Sequence, residues 1–296
     1  MHRGGAMLLA GTCAGAVVAM LVAAAAVRPP GPAEAAGPSH PAAPSLTTSV
    51  ATTATSAPPE TAARQPGKPG PDGASLAALV PGELSVLVHD RKTGRDVVSH
   101  RPDATYPAAS LVEVFIALEA LRRGEPAGEV AEMLSRSDGD IAGRLWTKLG
   151  GPAIVTSWAA RIGLKSTRPP AEGSHWGSTL VTAADLVRSY RYLMDEVPDG
   201  TRRVVLRALD GATEHGADGF DQFFGIPGAV TATDWAVKQG WSCCDRGRTL
   251  HTSGLVGGRR YIVVVLTAQP AGTSWATAAQ RVTAVVKALS GPLGRA

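Results

Sequence analysis

A serine stands at the start of a long apolar run, and this run constrains the fold more than any other part of the chain. Residues 106–121 read Tyr-Pro-Ala-Ala-Ser-Leu-Val-Glu-Val-Phe-Ile-Ala-Leu-Glu-Ala-Leu, with apolar residues on nearly every side of a helix starting near Ser110. A helix that is apolar all round must be covered on all sides. The run therefore predicts a central helix buried in the core of a sizeable domain.

Strand patterns lie on both sides of this helix in the sequence. Residues 83–90 and 95–100 are expected to form a hairpin across an Arg-Lys-Thr-Gly turn. The other predicted elements are helices at 140–149, 152–162 and 182–194, strands at 234–242, 249–255 and 260–267, and a closing helix at 275–289. This order predicts an α+β fold, in which both chain ends build one antiparallel sheet and a helical region is inserted between them.

The N-terminal part of the chain has the composition of an exported protein. Residues 6–27 carry no charged side chain, so 1–27 is interpreted as a signal peptide or a membrane anchor. Cys13 follows Thr12 and precedes most of the apolar run, which argues against a lipoprotein cleavage site. Residues 28–75 are rich in Pro, Ala, Thr and Ser, typical of a disordered tether. The folded domain is predicted at 76–296.

Charge and composition argue against several classes of partner. The net charge of +4 is spread along the chain without a basic stripe, so nucleic acid is not an expected partner. The seven histidines have no ligand-like spacing, so we expect no metal and no cofactor. Cys243 and Cys244 are adjacent, which leaves a vicinal disulfide or two free thiols as alternatives.

The pair Ser110 and Glu113 has a simple structural interpretation. Their spacing is that of a capping box, in which each side chain bonds a backbone amide of the other at a helix start. Such a cap stabilises a helix by about 1 kcal/mol and requires no catalytic activity. The alternative is that Ser110 occupies the position of a nucleophile.

Three triplets in order favour the second interpretation. The segments Ser110-Leu-Val-Glu113, Ser137-Asp138-Gly139 and Lys238-Gln239-Gly240 resemble the Ser-x-x-Lys, Ser-Asp-Asn and Lys-Thr-Gly boxes of the class A β-lactamase and DD-peptidase superfamily. The resemblance extends over roughly 84–289. It implies a β-lactamase/transpeptidase-like fold, shortened between the first two boxes.

The resemblance also implies roles for individual residues. Ser110 would be the nucleophile, Ser137 a proton shuttle, and Lys238 the charge that meets a substrate carboxylate. The backbone amides of Ser110 and Trp241 would stabilise an oxyanion. The substrate-binding residues implied in this way are Asp138, Gln239, Gly240 and Trp241.

Two departures put the chemistry in doubt. Glu113 stands where the family has a lysine, and we expect it to pair with Lys238; the alternative is a base with a raised pKa. Between Arg168 and Thr182, Glu172 is the only carboxylate, and no Glu-x-x-x-Asn pattern supplies a deacylating base.

The sequence therefore predicts an exported cell-envelope protein with a catalytically impaired serine hydrolase domain. Its former active-site cleft would bind a peptidoglycan stem peptide, a β-lactam-like ligand or a partner protein, and its N-terminal segment would contact the membrane. One alternative is an active DD-peptidase or β-lactamase that uses Ser110 with an altered proton relay. A second is a purely structural envelope domain.

Overall fold

The computed structural model describes residues 71–231, 234–243 and 247–293. The chain divides into two units, Met1–Thr61 and Ala62–Ala296, and every described residue belongs to the second. The predicted signal peptide or anchor at 1–27, and the predicted tether up to residue 70, lie outside the described residues. The first helix begins at Gly73, close to the predicted start of the domain.

The described elements follow the predicted order, and the α+β class is confirmed. In chain order they are α1 (Gly73–Ala77), β1 (Glu83–Asp90), β2 (Arg95–His100), β3 (Tyr106–Pro107), a 3-10 turn (Ala109–Val112), α2 (Glu113–Arg122), α3 (Ala127–Arg136), α4 (Gly139–Leu149), α5 (Pro152–Ile162), a second 3-10 turn (Trp176–Ser178), β4 (Leu180–Val181), α6 (Ala183–Asp195), α7 (Asp199–Asp210), α8 (Ile226–Ala229), β5 (Trp235–Ser242), β6 (Arg248–Val256), β7 (Tyr261–Gln269), α9 (Trp275–Ala288) and α10 (Ser290–Leu293). None of these helices is long and apolar enough to cross a membrane.

Five strands form one antiparallel sheet in the order β2-β1-β7-β6-β5. Strand β1, from the start of the domain, pairs along its whole length with β7, from the end. The prediction that both chain ends build the sheet is therefore confirmed. A separate two-stranded ladder joins β3 to β4.

Both faces of the sheet are covered, which explains why residues 261–266 of β7 are all apolar. Ile262 and Val264 belong to the core on the helical side, together with α2. Val263 and Val265 belong to a second core, where α9 packs. Alternate residues of a strand point to opposite faces, so a strand between two cores needs apolar residues at every position.

Helix α2 is the predicted central helix. All its residues from Glu113 to Ala120 are buried. Its start differs from the expectation, because Ser110 lies in the 3-10 turn and α2 begins only at Glu113. The helices α3 and α7 were not assigned from the sequence, since their few apolar residues are diluted by charged and small ones.

A buried carboxylate fixes the segment that leads to the second 3-10 turn. Asp185, on α6, accepts hydrogen bonds from the backbone amides of Lys165, Ser166 and Thr167, at 2.9, 2.8 and 2.7 Å. The Thr167 hydroxyl adds a fourth at 2.9 Å. Thr182 caps this helix and accepts from the Asp185 amide. One side chain thereby ties α6 to the loop that approaches Ser110.

We expect Asp185→Ala to destabilise the domain by about 3 kcal/mol, because four donors lose an ionised acceptor. Urea unfolding measures the change. Ser189→Ala is the matched control, since its hydroxyl donates only to the Asp185 backbone carbonyl, and it should cost less than about 1 kcal/mol. Equal midpoints for Asp185→Ala and the parent would contradict this anchoring role.

Candidate active site

Strand β5 lies against the 3-10 turn that carries Ser110, and a glycine allows this approach. A Cβ at Gly240 would lie 2.9 Å from the Ala108 carbonyl oxygen and 3.4 Å from the Ala109 Cβ. Ala109 itself has a φ of 46°, a left-handed conformation that is costly for a residue with a Cβ. The residue before Ser110 is therefore held in a strained conformation by the packing around it.

Glu113 and Lys238 form a buried ion pair, as the sequence predicted. The Lys238 Nζ lies 3.3 Å from a Glu113 carboxylate oxygen, and both side chains are inaccessible to solvent. Neither oxygen of Glu113 accepts a hydrogen bond from the described residues. The pair joins the start of α2 to β5, so the first and third boxes meet inside the domain.

The capping-box interpretation of Ser110 and Glu113 is wrong. Val112 occupies the N-cap position of α2, and no side chain caps that helix. The Glu113 carboxylate is turned toward Lys238 instead of the preceding backbone. A buried ammonium attracts a carboxylate more strongly than a neutral amide does, which accounts for the choice.

Burial dominates the titration of this pair. Loss of hydration raises the pKa of Glu113 to about 7, against the opposing effects of the Lys238 charge and the nearby Ser110 hydroxyl. Burial also lowers the pKa of Lys238, with the Glu113 charge acting in the opposite direction. The two groups share one site, and they titrate as a coupled unit.

The second box also reaches this pair. Ser137 ends α3 with a φ of 48°, and its hydroxyl accepts a hydrogen bond from Lys238. The same hydroxyl lies 3.0 Å from the Gln222 side-chain oxygen. The predicted catalytic set of Ser110, Glu113, Ser137 and Lys238 is thus brought together, and all four residues are buried.

The predicted substrate-binding side chains have partners within the protein. Asp138 caps α4 by accepting from the amides of Asp140 and Ile141. The Gln239 amide nitrogen donates to the carbonyls of Gln222 and Phe224, at 2.8 and 2.7 Å. Substrate contact by these two residues stays a prediction, since it requires their present bonds to be exchanged.

Trp241 follows the third-box glycine on β5 and belongs to an aromatic cluster. Its ring stacks on Phe220 with the centroids 4.7 Å apart, and its indole nitrogen donates to Asp218 at 2.9 Å. Trp275 meets the Phe220 ring edge-on at 5.2 Å. The role of the Trp241 backbone amide as an oxyanion donor stays a prediction.

Two residues of the site were not found from the sequence. Gln222 lies in the loop between α7 and α8, and no motif marks it. His251 lies on β6 opposite Gly240, where its Nε2 is 2.8 Å from the Pro107 carbonyl and its Nδ1 accepts from the Thr267 amide. A histidine inside an apolar strand could have indicated His251, because both ring nitrogens of a buried imidazole need hydrogen-bond partners.

The loop after α5 contributes packing to the site. Trp176 and Gly177 begin the second 3-10 turn, and a Cβ at Gly177 would lie 3.6 Å from the Ala109 Cα. Glu172, the one carboxylate expected here, is exposed and pairs with His175 at 3.1 Å. A carboxylate in solvent and paired with a histidine is poorly suited to serve as a base at a buried serine.

The remaining predictions concern cysteines and metals. Cys243 is disulfide-bonded, whereas Cys244 lies outside the described residues. Within the described ranges, no group of three or more histidine, cysteine or acidic side chains is arranged to hold a metal ion.

Comparison with known proteins shows which family the chain belongs to. No protein-family model matches the chain. "Putative lipoprotein LppW" of Mycobacterium tuberculosis H37Rv is 39% identical over 234 residues, which are 74% of this chain and 73% of the relative. The Mycobacterium bovis protein of the same name matches equally. The chain belongs to the LppW family.

Solved structures show the fold of this LppW-family chain. A class A β-lactamase from Mycobacterium abscessus matches with a TM-score of 0.61 and 21% identity, over 73% of this chain and 96% of that one. A β-lactamase from Chitinophaga pinensis matches with a TM-score of 0.63 and 13% identity, over 73% and 96%. The predicted class A β-lactamase-like fold is confirmed.

Two buried groups should give this protein opposite pH dependences. The pKa of Glu113 rises from 4.5 to about 7 on folding, so its contribution to stability is full below pH 4.5 and is lost as the pH rises through 7. Burial lowers the pKa of His251 from 6.5 to about 4, so its contribution is lost as the pH falls from 6.5 to 4. Each effect is at most about 3 kcal/mol.

We therefore expect Glu113→Gln to remove the loss of stability between pH 4.5 and 7, and to leave a steeper loss on acidification. Unfolding free energies of both proteins, measured from pH 4 to 8, test this. Parallel curves for variant and parent would show that Glu113 titrates in the folded state as it does in the unfolded chain.

Proposed function

We propose that this protein is an exported cell-envelope protein whose β-lactamase-like domain is impaired in serine acylation and serves as a binding domain. The observation that carries the proposal is the buried ion pair of Glu113 and Lys238. In this pair a carboxylate stands next to Ser110 where the resembled family has a lysine, and it neutralises the cation of the third box.

Acylation needs a base for the serine proton and a free charge for the substrate. The Lys238 ammonium donates to the Ser137 hydroxyl and to the Gln239 carbonyl oxygen at 3.2 Å, and its charge is paired with the Glu113 carboxylate at 3.3 Å. The charge of Lys238 is therefore already neutralised within the protein. A ligand anion would have to displace Glu113 or Ser137, which makes the β-lactamase type of recognition unfavourable.

Localisation at the envelope is supported by two observations. Residues 6–27 form an uncharged apolar segment, and the relative from Mycobacterium tuberculosis is called a lipoprotein by name. In this chain Thr12 precedes Cys13, so we propose export by a signal peptide or anchor without assigning a lipid to Cys13. Palmitate labelling of the expressed chain, and its sensitivity to globomycin, show whether a lipid is attached. Neither labelling nor sensitivity is expected for a signal peptide or anchor without a lipid.

The ligand class proposed for the cleft is a peptidoglycan stem peptide or a β-lactam-like molecule bound without turnover. Support comes from the fold and from the three boxes, which the structure brings to one place. Saturable binding of a stem pentapeptide by calorimetry would support this class. No binding of either ligand, by a folded protein, would favour a purely structural envelope domain.

One observation favours an active hydrolase as the second candidate function. A Glu113 carboxyl with a pKa of about 7 is partly ionised at neutral pH, and it lies near the Ser110 hydroxyl. Such a group has the proton affinity expected of a general base. The same burial and the same pair therefore support both candidates, and turnover distinguishes them.

We expect no hydrolysis of a chromogenic cephalosporin above the buffer rate, because Glu113 and Lys238 neutralise each other and Glu172 is exposed. Absorbance over hours at micromolar protein gives the measurement. Ser110→Ala is the control, and it should be indistinguishable from the parent. Turnover that disappears in Ser110→Ala would establish the active hydrolase instead.

Restoring a lysine should restore part of the chemistry. In Glu113→Lys two ammonium groups share the buried site, so one of them loses its proton readily and becomes a base. We expect at least roughly tenfold more covalent labelling by a fluorescent penicillin than in the parent. Labelling is read on a denaturing gel, and Ser110→Ala in the same background is the control.

Glu113→Ala tests the other half of the pair. It leaves Lys238 buried without a counter-charge, which should cost about 3–5 kcal/mol at neutral pH and give no labelling. Thermal and urea unfolding measure the loss. A variant as stable as the parent would mean that the pair contributes nothing to folding.

A further inference from the structure

The side chain of Gln222 has only one possible orientation. Its nitrogen lies 3.1 Å from the Ser135 carbonyl oxygen and 3.0 Å from the Thr213 carbonyl oxygen. Carbonyl oxygens only accept, so both amide protons are donated to them. The Gln222 oxygen must therefore be the atom that faces Ser137, at 3.0 Å.

This orientation determines where the Ser137 proton points. An amide oxygen cannot donate, so the Ser137 hydroxyl donates its single proton to Gln222. The hydroxyl oxygen in turn accepts from the Lys238 ammonium. The hydrogen bonds run in one direction, from Lys238 through Ser137 to Gln222.

The loop that carries Gln222 is fastened to the same elements. The Ala217 amide donates to the Arg136 carbonyl at 2.8 Å, next to Ser137. Gln239 on β5 donates to the Gln222 carbonyl at 2.8 Å. The Gln222 side chain is 2% exposed. A buried amide with every proton assigned has no freedom to turn, since each rotation would leave polar atoms unpaired.

We propose that Gln222 is a positioning residue that holds the Ser137 proton away from any ligand at Ser110. The proposal rests on the proposed function, because it concerns the same site and adds a second block to acylation. When an acyl bond forms to the Ser110 oxygen, the Ser110 proton passes to the base at position 113, the carbon–nitrogen bond of a β-lactam breaks, and its nitrogen needs a proton. Ser137 can supply that proton only if its hydroxyl is free to turn, with Lys238 replacing it.

Gln222 also stabilises the charged form of Lys238. A hydroxyl that donates to Gln222 is a stronger acceptor for the ammonium, since hydrogen bonds in a chain polarise one another. Without the Gln222 oxygen, Ser137 can turn and donate to the neutral amine of Lys238. Loss of this acceptor should therefore weaken the hold of Lys238 on its proton.

The first experiment compares Gln222→Met with the parent as full chains carrying 13C-labelled lysine. The pKa of Lys238 is read from the side-chain carbon next to the nitrogen. We expect Gln222→Met to lower it by roughly one unit, a tenfold loss of proton affinity. A Tm change alone would follow from any packing defect, whereas this shift follows from the hydrogen-bond chain.

Gln239→Met is the matched control. It removes two hydrogen bonds to backbone carbonyls of the same loop, whereas the Gln222 side chain keeps its own donors bonded to the Ser135 and Thr213 carbonyls. The Lys238 pKa should then stay within about 0.3 unit of the parent. An unshifted pKa in Gln222→Met, or an equal shift in Gln239→Met, would overturn the proposal.

The second experiment measures penicillin labelling of Glu113→Lys with and without Gln222→Met. We expect the double variant to label at least roughly tenfold faster, because Ser137 can then protonate the leaving nitrogen. Equal rates would overturn the role in proton donation. Labelling of the parent chain itself would instead refute the proposed function, while the Lys238 comparison would still decide the role of Gln222.

Discussion

The ion pair between Glu113 and Lys238 is the interaction on which the site depends. It lies where the central helix α2 meets the edge strand β5, and both side chains are fully buried. Removing two charges from water costs free energy. Their mutual attraction offsets this cost only when the two groups are close and their other donors and acceptors are hydrogen-bonded. Here the remaining protons of Lys238 are satisfied by Ser137 and the Gln239 carbonyl, whereas the oxygens of Glu113 accept no hydrogen bond from the described residues. Burial is the main reason that the pKa of Glu113 is raised to about 7, against the opposing charge of Lys238.

The segments around the pair pack closely against the turn that carries Ser110, and they exclude solvent from the pair. Gly240 lets β5 lie against the turn that carries Ser110. His251 holds the chain just before that turn through the Pro107 carbonyl, and burial keeps this imidazole neutral by lowering its pKa to about 4. Asp185 fixes the loop on the opposite side. The backbone around Ser110 is thus fixed by these contacts, and the polar side chains of Lys238, Ser137 and Gln222 are bonded to one another.

Members of one fold can carry opposite charges at a single buried position. The likeness to class A β-lactamases at about 20% identity shows the architecture, and the relatives at 39% identity show the family. Neither says what the residue at position 113 does. Exchange of a lysine for a glutamate changes the sign of one of two adjacent buried charges, so that repulsion between them becomes attraction.

The sequence alone determined the sheet and the position of the site. The apolar pattern of 260–267 predicted a strand and the run after Ser110 predicted a buried helix, because such patterns are local properties of the chain. That the strand is covered on both faces was visible only in the tertiary structure. The pairing of Glu113 with Lys238 followed from the resemblance, which implies that the first and third boxes meet in one cleft, and the structure shows the pair. The tertiary structure alone decided that Ser110 lies in a 3-10 turn instead of a cap, and that Gln222, from a loop without any pattern, takes the Ser137 proton. Those features depend on hydrogen bonds between residues that are far apart in the sequence, and no local sequence pattern predicts which donor will bond which acceptor.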